Sequence, residues 1–167
     1  MLFRSSMFAF KSKSIFQITG DIALTSNPLS LNELPAGIGT VCPLSIASSK
    51  DGLYFMSQSG LRCLGFQGAI GPVIGQYGTG VSLPFINVAV PTRLCLAYNV
   101  DTVRVNTQNS SLRSTPHQDW WYNTTTQGWT GSHTFPASLI QPYAGTFVIA
   151  PLSVTASLWT RDRKSVV

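Results

Sequence analysis

The stretch Ser45 to Gln67, SIASSKDGLYFMSQSGLRCLGFQ, decides the fold. Its apolar runs Ile46-Ala47, Leu53 to Met56 and Leu61 to Phe66 are too short for helices and are divided by Ser, Asp and Gly. Short apolar runs bounded by turn residues predict consecutive antiparallel strands, a β-meander. Asp51-Gly52 suits a tight two-residue hairpin, since glycine takes positive φ without a Cβ clash. Ser57-Gln58-Ser59-Gly60 supplies the next turn. None of these residues is chemically reactive, so function is expected to come from architecture.

The chain outside this stretch has the same character. Of 167 residues only 10% are charged, while 44% are apolar and nine Phe, five Tyr and four Trp are present. Low charge with abundant Gly, Ser, Thr and Asn favours strands and turns, and the apolar content is enough to offset chain entropy. The net charge of +5 comes from Lys and Arg placed mostly singly. Without a basic run or a nucleic-acid-binding motif, no nucleic-acid partner is expected. Cys42, Cys63 and Cys95 lack CxxC spacing and sit in apolar contexts, as small buried hydrophobes do. No apolar run approaches the ~20 residues needed to cross a bilayer as a helix, and MLFRSSMFAFKSKSIF lacks the h-region of a signal peptide. The expectation is a soluble protein with no membrane partner and no cofactor.

Along the chain, Met7 to Lys11 and Ile15 to Ile18 predict a hairpin around Ser12-Lys13-Ser14. Residues 21–40 predict a long connector, with one helical turn from Leu31 to Leu34. Gly75 to Gly80 lacks the Gly-Lys-Ser/Thr and the following helix of a phosphate-binding loop, so the Gly-rich segment 68–91 is expected to pack as an apolar loop. Leu94 to Tyr98 and Thr102 to Thr107 flank an Asn99-Val100-Asp101 turn, and alternation in the second run predicts a half-exposed strand. Asp119 to Asn123 and Gly128 to Gly131 bracket a turn at Thr124 to Gln127. Thr146 to Ala150 and Ser153 to Trp159 make a last pair.

The outer strands Ser14 to Gly20, Gly60 to Gly68 and Asp119 to Gly131 are spaced by about 46 and then about 60 residues, loosely matching the ~40 to 50 of a propeller blade. The predicted fold is all-β: an incomplete β-propeller of about three antiparallel blades, with a β-sandwich as the alternative. Residues 1–161 are read as one unit. Residues 162–167, DRKSVV, resemble the translation of a sequencing adapter, which predicts that the natural chain continues past Arg161. Apolar blade faces are then expected to stand exposed where the ring is cut.

Lys13-Ser-Ile-Phe-Gln-Ile-Thr-Gly20, Asp51-Gly-Leu-Tyr-Phe55, Gly60-Leu-Arg62 and Trp120-Trp-Tyr-Asn123 with Gly128-Trp-Thr-Gly131 resemble blades of phage virion and tail-associated β-propeller proteins. The resemblance covers about Phe10 to Pro136. It implies a non-enzymatic structural role in the virion, with other virion or tail proteins as partners and no catalytic residues. Ser49-Lys-Asp51-Gly52 also resembles the Asp-box of sialidase-like propellers, but its glycine comes one residue early and Phe55 replaces Trp, which argues against a sialidase.

Residue chemistry points the same way. His117, Asp119 and a serine could be assembled on paper into a triad, but no GxSxG elbow is present, and His117 and Asp119 are expected to cap or solvate a loop. A single Glu gives little basis for paired-carboxylate glycoside hydrolysis. Trp120, Trp121, Tyr122 and Trp129 form the candidate binding surface. Adjacent tryptophans on one strand point to opposite faces, so one ring can be core while another stacks on a glycan or host receptor.

Overall fold

The computed structural model describes residues 7–20, 26, 28–40, 42–74, 94–107, 118–133, 137–151 and 159–161. These described residues form thirteen strands: β1 Met7–Phe10, β2 Ile15–Thr19, β3 Ser30–Glu33, β4 Ile46–Ser48, β5 Leu53–Ser57, β6 Gly60–Leu64, β7 Leu94–Asn99, β8 Thr102–Thr107, β9 Gln118–Asn123, β10 Gly128–His133, β11 Ala137–Tyr143, β12 Thr146–Pro151 and β13 Trp159–Arg161. Every pairing among them is antiparallel and joins strands consecutive in sequence. The result is four small meanders, β1-β2-β3, β4-β5-β6, β7-β8-β9-β10 and β11-β12-β13, where the sequence predicts about three. No closed ring forms among the described residues.

The stretch Ser45 to Gln67 folds as the second meander. Gln58-Ser59 is the two-residue turn, with Ser57 opposite Gly60. The first turn is longer than predicted: Ser48 opposes Leu53, so residues 49–52 form a four-residue loop. The cause is Ser49, whose Oγ accepts from the backbone N of Asp51 (3.1 Å) and of Gly52 (3.2 Å), closing an ST-type turn. Gly52 remains necessary for another reason. At φ 147° its missing Cβ lets the backbone of Leu64 approach, and any side chain would meet the Leu64 carbonyl.

The four sheets stack face to face in chain order. Because strand side chains alternate, an internal sheet must be apolar on both faces. Phe55 and Leu64 pack towards β1-β2-β3 with Ile15, and Phe10 lies 5.3 Å from Phe55. Tyr54, Met56 and Leu61 point the other way, towards Leu94, Leu96, Val103 and Val105. Cys95 and Ala97, on the opposite face of β7, meet Ala137, Ile140 and Ile149 of the last sheet. Strands β4 and β11 both lie against β7.

The link preceding β4 joins three of these sheets through buried polar groups on Thr40, Cys42 and Ser45. Thr40 Oγ1 donates to the Met56 carbonyl (3.0 Å), and Ser45 Oγ donates to the Cys42 carbonyl (2.6 Å). The Cys42 thiol reaches the Leu94 carbonyl (3.0 Å). Backbone bonds run from Thr40 N to Lys11 O and from Leu96 N to Leu44 O, each 2.9 Å.

Several expectations change. The segment Leu31 to Leu34 is no helical turn: residues Ser30–Glu33 pair with β2, Leu31 opposite Ile18, because a partner strand decides the conformation of so short a segment. The strand β8 is not half-exposed, since sheets cover both its faces and Arg104 and Asn106 are buried alongside Val103 and Val105. The strand β11 was not anticipated from the sequence. It carries Pro142, which an edge strand tolerates because its outward N–H is not needed for pairing. The Gly75 to Gly80 loop, His117 and residues 162–167 lie outside the described residues. Cys42 and Cys95 are buried as expected, Cys63 is half-buried, and none of the three is in a disulfide among the described residues.

Thr40→Val keeps the side-chain shape but removes the hydroxyl from this junction. Denaturant unfolding should show a loss of about 1 to 3 kcal/mol, and an unchanged midpoint would mean that the junction contributes nothing.

Candidate functional site

The sheet β7-β8-β9-β10 carries all four aromatic residues singled out in the sequence. Its two hairpin loops are tied together at one end. Asn123 Oδ1 accepts from the backbone N of Thr125 (2.9 Å) and of Thr126 (2.8 Å), shaping the β9-β10 turn. Thr124 donates through both its N (2.8 Å) and its Oγ1 (3.1 Å) to Asp101 O in the β7-β8 turn. That turn places the β-branched Val100 at φ 54°, a costly conformation that these bonds help to hold. Lys50 reaches the same turn, with Nζ 3.4 Å from Asp101 Oδ1, and this carboxylate raises the lysine pKa. The pair is exposed and adds little stability.

Alternation divides the aromatics between two faces. Trp120 opposes Val105 and Tyr122 opposes Val103, so both belong to the face turned towards the second meander. Trp129, the register partner of Tyr122, joins them, with the two rings 5.2 Å apart at 47°. Tyr122 is buried, while Trp120 and Trp129 are half-buried. Trp121 points the other way, opposite Arg104. The four residues therefore make no single platform: three line one face of the hairpin and one lines the other.

Around Trp121 lies a charged cluster not anticipated from the sequence. Arg104 Nε sits 2.9 Å from both oxygens of Asp119, and Nη2 is 2.6 Å from Asp119 Oδ2. The Trp121 indole N–H donates to Asp119 Oδ2 at 2.9 Å. The guanidinium lies 5.0 Å from the Trp121 ring and 5.8 Å from Phe147 of the last meander. His133 completes the group, its ring 5.1 Å from that of Trp121. Asp119 is fully buried and Arg104 is 3% exposed. The expectation that Asp119 caps or solvates a loop is thus corrected: it sits inside β9, on a face covered by the last sheet. The available signal was the placement of Arg104 and Asp119 on neighbouring strands at positions that face the same way.

Chemically, the cluster is a satisfied ion pair. Each carboxylate oxygen has a cationic or indole donor, and the guanidinium is stacked on aromatic rings, which is the arrangement that makes a buried charge pair tolerable. Among the described residues no group of three or more His, Cys, Asp and Glu is placed to hold a metal, and no helix is long and apolar enough to cross a membrane. No protein-family model matches the chain, and a search among curated proteins finds no match.

On the other face, burial pushes the phenols of Tyr54 and Tyr122 above their ordinary value, and the negative charge of an ionised Cys63 adds to both. The same loss of solvent raises the Cys63 thiol itself.

Asp119→Ala strands the buried guanidinium and should cost about 3 to 5 kcal/mol, whereas the paired replacement Arg104→Met with Asp119→Leu should cost far less. Urea unfolding of the three proteins checks this, and equal losses would refute it. For the phenols, a pKa raised in the folded state means a contribution that is complete below the unfolded value of about 10 and lost as pH rises through the folded value. Stability should therefore fall on the alkaline side, with tyrosinate absorbance rising together with unfolding. Tyr122→Phe should flatten that limb.

Proposed function

We propose that this chain is part of a β-propeller in which each meander is a blade, and that it serves as a non-enzymatic structural protein of a phage virion or tail. The observation that carries the reading is the serial stacking of consecutive meanders, with β4, β7 and β11, the first strands of three successive sheets, brought side by side. Propeller blades stack in this way about their innermost strands. A sandwich would place two sheets face to face, whereas here four stack in series. The resemblance of the blade motifs to phage virion and tail-associated propellers supplies the class of partner. The strongest charged cluster among the described residues, Arg104 with Asp119, is a satisfied pair within one sheet, with Phe147 of the next sheet over the guanidinium. Such a protein would act through protein contacts with other virion or tail proteins and reside in the particle.

A second reading, binding of a glycan or host receptor, is favoured by one observation: Trp120, Trp121 and Trp129 all keep part of their surface on a single hairpin. An aromatic ring with an accessible face can stack on a sugar.

The two readings separate experimentally. Mass spectrometry of gradient-purified particles from material carrying the gene should find this chain as a stoichiometric component, and its absence from particles would sink the structural reading. On an oligosaccharide array the protein should retain no glycan. Retention that collapses with Trp120→Ala or Trp121→Ala would instead establish the second reading.

A further inference from the structure

We propose that the outer face of the β1-β2-β3 sheet is a self-association surface, on which a second copy of this chain packs about a two-fold axis running along β2. The proposal rests on the register of that sheet and concerns this chain by itself, since in a closed propeller ring the same face would meet another blade.

Two of the four sheets, the second and the third, have packed clusters on both faces. The first sheet packs one face, through Ile15 with Phe8 and Phe10, against the second. Its other face presents a cross-strand row of Met7, Ile18 and Leu31. Met7 is 66% exposed and Leu31 63%. The adjacent row centres on Phe16. An apolar sheet face of this kind is what the internal interfaces of the same molecule bury.

Charge identifies the occupant. Phe16 is flanked by one group of each sign on this same face: Lys11 Nζ lies 4.8 Å from the ring centre on the β1 side, and Glu33 opposes Phe16 on the β3 side. A two-fold axis along the central strand exchanges the two sides while keeping each row at its own level. It sets Met7 over Leu31 of the second copy, and Lys11 over its Glu33, twice. A two-fold axis across the strands would instead put β1 over β1, with the lysines together on one side. Only the first arrangement is self-complementary in charge, the requirement for an isologous interface. It also keeps the strands of the two sheets roughly aligned, as packed twisted sheets prefer.

The contact is small. Three strands of at most five residues cover roughly 15 Å by 15 Å, well below the ~800 Å² per partner of a standard interface. The dimer is therefore weak and forms only at high protein concentration.

Sedimentation velocity over a concentration series on the full chain tests this. The expected result is a monomer–dimer equilibrium that Leu31→Lys abolishes, with circular dichroism unchanged. Lys11→Glu and Glu33→Lys should each weaken the dimer about tenfold, and the double exchange Lys11→Glu with Glu33→Lys should restore it. A monomer at every concentration, oligomers larger than a dimer, or a double exchange no better than either single one would overturn the proposal.

Discussion

Where three sheets meet, the chain runs through the interior, and its polar groups must be satisfied there. Thr40, Cys42 and Ser45 meet this demand with two hydroxyls and a thiol, each aimed at a buried carbonyl or at one another, while the backbone of Thr40 and Leu44 reaches Lys11 and Leu96. Apolar faces alone specify that sheets stack, but they are non-directional and tolerate sliding. Hydrogen bonds from Thr40 to Met56 and from Cys42 to Leu94 tie the second sheet to the third at one register. Leaving any of these groups unpaired in the interior costs more than the bond itself contributes.

The same logic operates once more at the next interface. Between the third and last sheets the apolar residues are small, Cys95, Ala97 and Ala137, with Ile140 and Ile149. Beside them the space is filled by the Arg104–Asp119 pair, capped by Trp121 and Phe147. A buried ion pair gives little net stability, but its geometry is exacting. The first polar feature ties sheets together, while the ion pair joins β8 to β9 within one sheet. Strand alternation then sets Trp121 against Arg104 while Trp120 and Trp129 are turned to the opposite side.

Most strands were legible in the sequence, and the exceptions have physical causes. The runs around Leu53 to Met56, Leu94 to Tyr98 and Trp120 to Asn123 carry bulky aliphatic or aromatic residues between turn signals, and they fold as expected. The strand β3, SLNE, has weak β-propensity and exists because β2 pairs with it. The strand β11 contains a proline that normally counts against a strand, and it survives as an edge. For the candidate site, the residues were legible and their arrangement only partly so. Alternation correctly separates Trp120 from Trp121, but which ring joins the core depends on which sheet covers each face.

By itself, the sequence determined that this protein is all-β, built from short antiparallel strands joined by local turns, because strand period and turn chemistry are properties of a few adjacent residues. It also determined that Tyr54 and Phe55 face opposite ways. Only the tertiary structure decided that four meanders stack in series, that Arg104 and Asp119 are an interior pair, and that Met7 and Leu31 stand exposed on the far face of the first sheet. Those outcomes depend on contacts between residues distant in the chain, whose energies exist only once both faces of a sheet have found their neighbours.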